Sequence, residues 1–107
     1  MKKPSYEQNS KTELTPDEIE EYKKEYGAVY EIVVEDKKCF IHKPGRQVID
    51  AAMSASTKRN SLFNETLMRN CWLAGDKIIM EDDDYFMGAS SQLDTVITYK
   101  TAEIKKL

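Results

Sequence analysis

The stretch that most restricts the fold is a pair of adjacent β-type segments near the middle of the sequence. Between residues 28 and 35 apolar side chains alternate, which places Tyr30, Ile32 and Val34 on one side of an extended chain. A polar break follows, and residues 39–43 form a second apolar segment that ends at a Pro-Gly pair. The pattern predicts a β-hairpin. Because a two-stranded hairpin is only marginally stable alone, other elements must cover it.

A short helix is predicted to precede the hairpin. Thr15 can cap its first turn, Pro16 suits the first helical position, and Glu18 completes a capping box. Gly27 is the residue that most easily adopts the backbone conformation of a helix end. Residues 1–14 are polar and aperiodic, so they cannot bury enough apolar area to offset their ordering entropy. We therefore expect a flexible arm over this range.

Three further helices are predicted after the hairpin. Apolar residues at helical spacing indicate one helix over 46–56 and another over 61–73. The acidic run at 81–84 lies where a helix N-terminus favours negative charge, and the apolar series behind it continues towards residue 104. Residues 77–80 form a short apolar connector that we expect to be extended. The sequence thus predicts helices over most of its second half.

These elements predict a single α+β domain over residues 15–107. Its expected architecture is an N-terminal helix, a β-hairpin, and then three helices packed on one face of the hairpin. Trp72, one helical turn after Met68, is the expected anchor of the core. A β-branched run weakens the last helix, which leaves residues 95–99 open between helical and extended structure.

The charge balance bears on the class of partner. Sixteen Lys and Arg residues against nineteen Asp and Glu give a net charge of −3, the wrong sign for a protein that mainly binds polyanions. A local basic strip around Phe40 keeps a nucleic-acid-binding regulator as an alternative, because lysines with an aromatic side chain can bind phosphates and stack on bases. The strip consists of Lys37, Lys38, Lys43 and Arg46.

The reactive side chains form no recognisable catalytic or metal motif. Cys39 and His42 have metal-like spacing, but a strand places them on opposite faces, and a structural zinc site needs four ligands. Cys71 is the second of only two cysteines, too few for a disulfide framework. We therefore predict no enzyme activity, metal or cofactor. No apolar run approaches the roughly 18 residues of a membrane span, and we expect a cytoplasmic protein.

Methionines and aromatic residues supply the candidate contact surface for a protein partner. Four methionines on or near the predicted helices offer a pliable apolar surface: Met53, Met68, Met80 and Met87. We predict partner contacts at Met53, Phe63 and Met87. The hairpin edge near Phe40 is predicted to support self-association, which would give a homo-oligomer.

The order of several short motifs resembles a known group of phage proteins. The motifs are Phe40-Ile41-His42-Lys43-Pro44, Val48-Ile49-Asp50-Ala51-Ala52, Asn70-Cys71-Trp72-Leu73-Ala74-Gly75-Asp76 and Ser90-Ser91-Gln92-Leu93. Over residues 25–107 the chain is similar to small tailed-phage and prophage proteins of the tail-assembly chaperone group. The resemblance implies a non-enzymatic helper that binds the tape-measure protein during tail construction in the host bacterial cytoplasm. A structural virion component, such as a head–tail connector or tail-tube protein, is the other alternative.

Overall fold

The computed structural model describes residues 11–97 and 100–107, and it confirms the predicted α+β class. In these residues a three-stranded antiparallel sheet, with strand order β1-β2-β3, is packed between helices. The elements in chain order are α1 (Pro16–Tyr26), β1 (Val29–Val34), β2 (Lys37–His42), α2 (Arg46–Ser56), α3 (Ser61–Cys71), β3 (Trp72–Gly75), α4 (Ile78–Glu81) and α5 (Asp83–Ser90). A 3-10 helix, Leu93–Val96, follows α5.

The first helix begins and ends at the predicted residues. Thr15 Oγ1 accepts a hydrogen bond from the backbone N–H of Glu18 at 3.1 Å, and Glu18 Oε1 accepts one from the N–H of Thr15 at 2.9 Å. This reciprocal pair is the predicted capping box. Gly27 ends the helix at φ +95°, a conformation that favours glycine, and donates its N–H to the carbonyl of Lys23.

The predicted hairpin is confirmed. Strands β1 and β2 pair in a regular register from Val29 opposite His42 to Val34 opposite Lys37. Two residues connect them, and the first, Glu35, has φ +56°. A left-handed residue in a two-residue loop matches the right-handed twist of the strands, so the loop fixes the register.

A third strand, β3, corrects the prediction that the helix over 61–73 continues through Trp72. The helix ends at Cys71, and β3 pairs antiparallel with β2. All four β3 residues are buried, so the alternation that normally identifies a strand is absent. Gly75 lies so close to β2 that an added Cβ would be 2.5 Å from the Cα of Cys39. Trp72 is fully buried as predicted, but from a strand.

Helices cover both faces of the sheet and give two cores. The elements after the hairpin pack on one face of the sheet, as predicted, and form the larger core with it. The buried residues of the larger core include Ile32, Cys39, Ile41, Val48, Leu67, Met68, Trp72, Ile79 and Leu93. The smaller core lies between the other face and α1, and contains Leu14, Phe40, Leu73 and Ala74 with Ile19, Tyr22, Tyr26 and Val29 packed against them. The sheet is therefore a middle layer.

The structure changes two predicted elements in the second half of the chain and answers part of an open question. The connector predicted as extended at 77–80 instead contributes to α4, a single helical turn. The last long helix stops at Ser90, and a 3-10 helix replaces its continuation. The question left open at 95–99 is answered for 95–96, which belong to the 3-10 helix, whereas residues 98–99 lie outside the described part.

The predicted arm at 1–14 falls largely on residues 1–10, which are also outside the described part. Residues 11–14 are described, and two of them contact the domain: Leu14 is buried in the smaller core, and the carbonyl of Lys11 accepts a hydrogen bond from the N–H of Gly75 at 2.9 Å. In residues 11–97 and 100–107 no helix is long and apolar enough to cross a lipid bilayer.

Candidate functional site

A groove between α3 and α5 is the main candidate site. It has a volume of about 340 Å³. Its lining residues are Arg59, Ser61, Glu65, Met80, Asp83, Phe86 and Met87, and we call this surface the α3–α5 groove. Met80, Phe86 and Met87 supply the apolar part, while the charged residues lie on both walls. An apolar centre with a polar rim is the usual arrangement of a protein-binding surface.

The local structure of α5 explains why the groove is open. Asp82 caps this helix by accepting hydrogen bonds from the N–H groups of Asp84 and Tyr85, at 2.9 and 3.1 Å, as the predicted role of the acidic run requires. Ala89 is buried in the larger core and Phe86 packs partly against it. Met87 faces away from that core and is 65% exposed. The apolar side chain thus remains available for a partner.

The rim of the groove carries charges of both signs. Glu65 on α3 contacts two arginines, with Oε1 4.0 Å from Nη2 of Arg59 and Oε2 3.5 Å from Nε of Arg69. Asp83, at the start of α5, also lines the groove. These groups are at least one-third exposed, so each ion pair adds little to stability. They leave charges of both signs exposed at the groove.

The predicted contact residues do not all meet at this site. Met87 lines the groove, whereas Met53 is 58% exposed on α2 and is not a lining residue. Phe63 is half-buried and packs against the larger core. Among the other methionines, Met80 lines the groove. Phe86 and the charged rim were missed, because only the approach of α3 to α5 brings them together.

The predicted hairpin edge at Phe40 is not an edge, which is a correction. Strand β2 is the central strand, with β1 on one side and β3 on the other. Phe40 itself is only 6% exposed, because it lies in the smaller core beneath α1. Self-association through that position is therefore blocked, and the open edge must be sought at β1.

Two members of the basic strip around Phe40, Lys37 and Lys38, lie beside carboxylates. Lys38 Nζ lies 2.9 Å from Glu13 Oε2 and 3.6 Å from Glu31 Oε2. The hydrogen bond to Glu13 raises the pKa of Lys38. Lys37 Nζ lies 3.8 Å from Asp36 and 3.7 Å from Asp76. Since Phe40 is buried, it offers no face for base stacking.

A second concavity, about 300 Å³ in volume, surrounds His42 at the N-terminus of α2. The imidazole ring stacks on Tyr26, with centroids 3.6 Å apart and planes at 7°. Its Nδ1 lies 2.8 Å from the carbonyl oxygen of Lys43, and its Nε2 lies 3.2 Å from that of Asn70. Both ring nitrogens therefore face backbone acceptors, and the ring ties α1, β2 and α3 together.

Cys39 is buried in the larger core. Strand β2 therefore places Cys39 and His42 on opposite faces of the sheet, as predicted. Burial raises the pKa of the Cys39 thiol to about 12, which keeps it protonated at neutral pH and unreactive as a nucleophile or metal ligand. Across residues 11–97 and 100–107, no cluster of three or more His, Cys, Asp and Glu side chains is placed to hold a metal ion.

Comparisons with protein-family models, with curated protein sequences and with solved structures give no match to this chain. The α3–α5 groove, the surroundings of His42 and the edges of the sheet are the features from which a function can be argued.

Proposed function

We propose that the protein is a non-catalytic chaperone that holds an amphipathic helix of a phage or prophage tape-measure protein in the α3–α5 groove. The observation that carries the proposal is the apolar part of this groove, where Met87 is 65% exposed beside Met80 and Phe86. Thioether side chains adapt to apolar partners of varied shape. A single such surface can therefore accept successive stripes of a long helical protein.

The charged rim supports a helix as the occupant. An amphipathic helix places apolar residues at i, i+3, i+4 and i+7 into a groove and keeps polar residues on its flanks. Arg59 and Glu65 on one wall and Asp83 on the other give those flanks partners of both signs. Because these pairs are exposed, they favour orientation and encounter rate over affinity.

The state of the reactive side chains supports the absence of catalysis. A general base needs a lone pair that reaches substrate, and both nitrogens of the sole histidine, His42, already contact backbone carbonyls. A thiol nucleophile needs an accessible thiolate, and the Cys39 thiol is fully buried and protonated.

The resemblance of residues 25–107 to tail-assembly chaperones supports the choice of partner, and it implies that the protein would act in the host bacterial cytoplasm. A ruler protein exposes apolar helical stripes until the tail encloses it, and exposed stripes of that kind aggregate. A small abundant protein that covers them would keep the ruler protein available for assembly. The chaperone itself leaves before the particle is complete.

Co-expression of the full chain with the tape-measure protein encoded in the same genome tests the proposal. We expect the chain to co-purify with the tape-measure protein and to keep it in the supernatant after lysis. Mass spectrometry of purified particles then separates a chaperone, which is absent, from a tail-tube or connector protein, which is stoichiometric. Absence of binding and of protection, or a stoichiometric presence in particles, would overturn the proposal.

A further inference from the structure

The outer edge of β1 is an open hydrogen-bonding surface. In a hairpin with a two-residue loop, Val34 and Lys37 form the first hydrogen-bonded pair, and such pairs then alternate along the strands. The bond from the N–H of Lys43 to the carbonyl of Ala28, at 2.9 Å, continues this alternation. The backbone N–H and C=O groups of Val29, Glu31 and Val33 therefore point away from β2. Those of the other three β1 residues point towards β2.

Nothing in the described part of the chain pairs with these outward groups. The opposite edge of the sheet differs, because Gly75 on β3 donates its N–H to the carbonyl of Lys11. Edge strands are usually protected by lysine, proline or a bulge. Strand β1, with sequence VYEIVV, has no lysine or proline and a regular register, and its Val33 is 63% exposed. The outward backbone groups of this edge therefore lack those three protections.

The space beside the edge has room for side chains of an added strand. A groove of about 290 Å³ runs between β1 and the 3-10 helix, lined by Tyr30, Glu31, Ile32, Val33, Gln92, Thr95 and Val96. Its apolar lining comes from both sides, through Ile32 and Val96. A strand laid along β1 would place alternate side chains over this groove and the intervening ones beside Glu31 and Val33.

The segment 100–107 matches this edge in its alternation of apolar residues and in its charge. Its residues have no regular secondary structure and are exposed, with Ile104 98% exposed. Its sequence, KTAEIKKL, places Ala102 and Ile104 on one side of an extended chain and Lys105 and Leu107 on the other. Lysines outnumber carboxylates in this segment, and Glu31 on the β1 edge, although 3.6 Å from Lys38 Nζ, keeps 47% of its side chain exposed and can contact a second cation.

We propose that the 100–107 segment of a second copy of this chain adds to the outer edge of β1 as an antiparallel strand, with Lys105 opposite Glu31. In this register Leu107 lies opposite Val29, and Ile104 lies opposite Ile32 beside the groove. A slip of one residue would turn Lys105 towards the groove and Ile104 away from it, so the apolar pattern selects the register. The occupant is a second copy because the chain's own segment is exposed and its own β1 edge is unpaired.

Charge reversal tests this pairing in the full-length protein. Sedimentation equilibrium of the wild type should show a dimer or larger assembly. Glu31→Lys and Lys105→Glu should each weaken association by about tenfold, because an attractive cross-strand pair becomes repulsive. Combining the two substitutions should restore it. Association unaffected by the single changes, or not rescued by the double change, would overturn the pairing.

A proline substitution tests the backbone contact separately. The N–H of Val33 points outward, so Val33→Pro removes a donor at the open edge and leaves the β1–β2 bonds intact. Val33→Thr retains the N–H and is the matched control. We expect the proline variant, with native circular dichroism, to be monomeric and the threonine variant to associate. A wild type that is monomeric at every concentration, or a proline variant that still associates, would exclude the proposal.

Discussion

The imidazole of His42 lies flat against the phenol ring of Tyr26, with ring centroids 3.6 Å apart and planes inclined by only 7°. Tyr26 is in the last turn of α1, and His42 is the last residue of β2. The same imidazole reaches the carbonyl of Asn70 in α3. One buried ring thus joins the helix on one face of the sheet to a helix that packs on the other.

Replacement of His42 should destabilise the fold without touching the α3–α5 groove. His42→Ala removes the stack and the hydrogen bond that the imidazole N–H donates to a backbone carbonyl, so we expect a loss of about 2–3 kcal/mol in the free energy of unfolding. His42→Phe is the matched control, since it retains a stacking ring and should lose less. Urea titration at 25 °C measures both. Equal losses for the two variants would show that the stack contributes nothing.

Gly75→Ala should be one of the most disruptive single changes in the chain. Gly75 has φ +147°, and a Cβ there would meet the Cα and Cβ of Cys39 at 2.5 Å, so β3 would have to move away from β2. We expect a loss of at least about 3 kcal/mol, or failure to fold.

Gly45→Ala is the control for this substitution, because nothing lies within 4 Å of its Cβ position and its φ is −87°. As a helix N-cap it should cost about 1 kcal/mol or less. Thermal melts of both variants make the comparison. Similar melting temperatures would contradict the close approach of β3 to β2.

Much of the fold was predictable because its determinants are local. The capping box joins Thr15 to Glu18 within one helical turn, and the hairpin joins two segments that are adjacent in the chain. Its loop was misplaced, because residues 37 and 38, predicted as part of the break, belong to β2. Strand β3 was not predictable in this way. Trp72 follows Met68 by one helical turn, and full burial on both faces removes the alternation that would have revealed a strand. Only the pairing of residues 39–41 with 72–75, distant in sequence, decides the structure there.

The candidate site was also predictable only where its residues depend on local sequence. Met87 was predicted as a partner contact, and it lines the groove with 65% of its surface exposed. The contribution of Phe86 was not, because that residue belongs to the apolar series of α5 and reaches the groove only through the packing of α5 near α3. The mistaken edge at Phe40 has the same origin as the missed strand, since β3 occupies the side of β2 that a lone hairpin would leave open.

The buried thiol of Cys39 should make stability fall at high pH. Its pKa is raised from 9.0 to about 12 by burial, so above pH 9 the unfolded chain releases this proton while the folded chain retains it. The stability that depends on this protonated thiol is therefore fully present below pH 9. It is lost as the pH rises towards 12, and the free energy of unfolding falls by roughly 1 kcal/mol per pH unit.

The difference between wild type and Cys39→Ala isolates this effect, because all other titrating groups are shared. Urea titrations at pH 8, 9.5 and 11 should show the wild type losing stability faster than the variant. In the native protein at pH 8, Cys39 should also resist a thiol reagent that reacts after unfolding. Parallel pH profiles, or rapid native labelling of Cys39, would be inconsistent with a buried, protonated thiol.

Met87→Lys should weaken partner binding while leaving the fold intact. Met87 is 65% exposed, so the change should alter the free energy of unfolding by no more than about 0.5 kcal/mol. In the groove, however, a lysine ammonium would have to be desolvated against the apolar face of a bound helix. A loss of at least about 2 kcal/mol of binding free energy is expected if Met87 is a central contact.

Met53→Lys is the matched comparison for this substitution, since Met53 is 58% exposed on α2 and does not line the groove. Titration calorimetry with a tape-measure fragment that binds the wild type would measure both variants. A large effect at Met87 with a small one at Met53 locates the partner in the α3–α5 groove. Equal losses would extend the interface to α2, as the sequence alone predicts, and a loss at Met53 only would move the binding surface away from the groove.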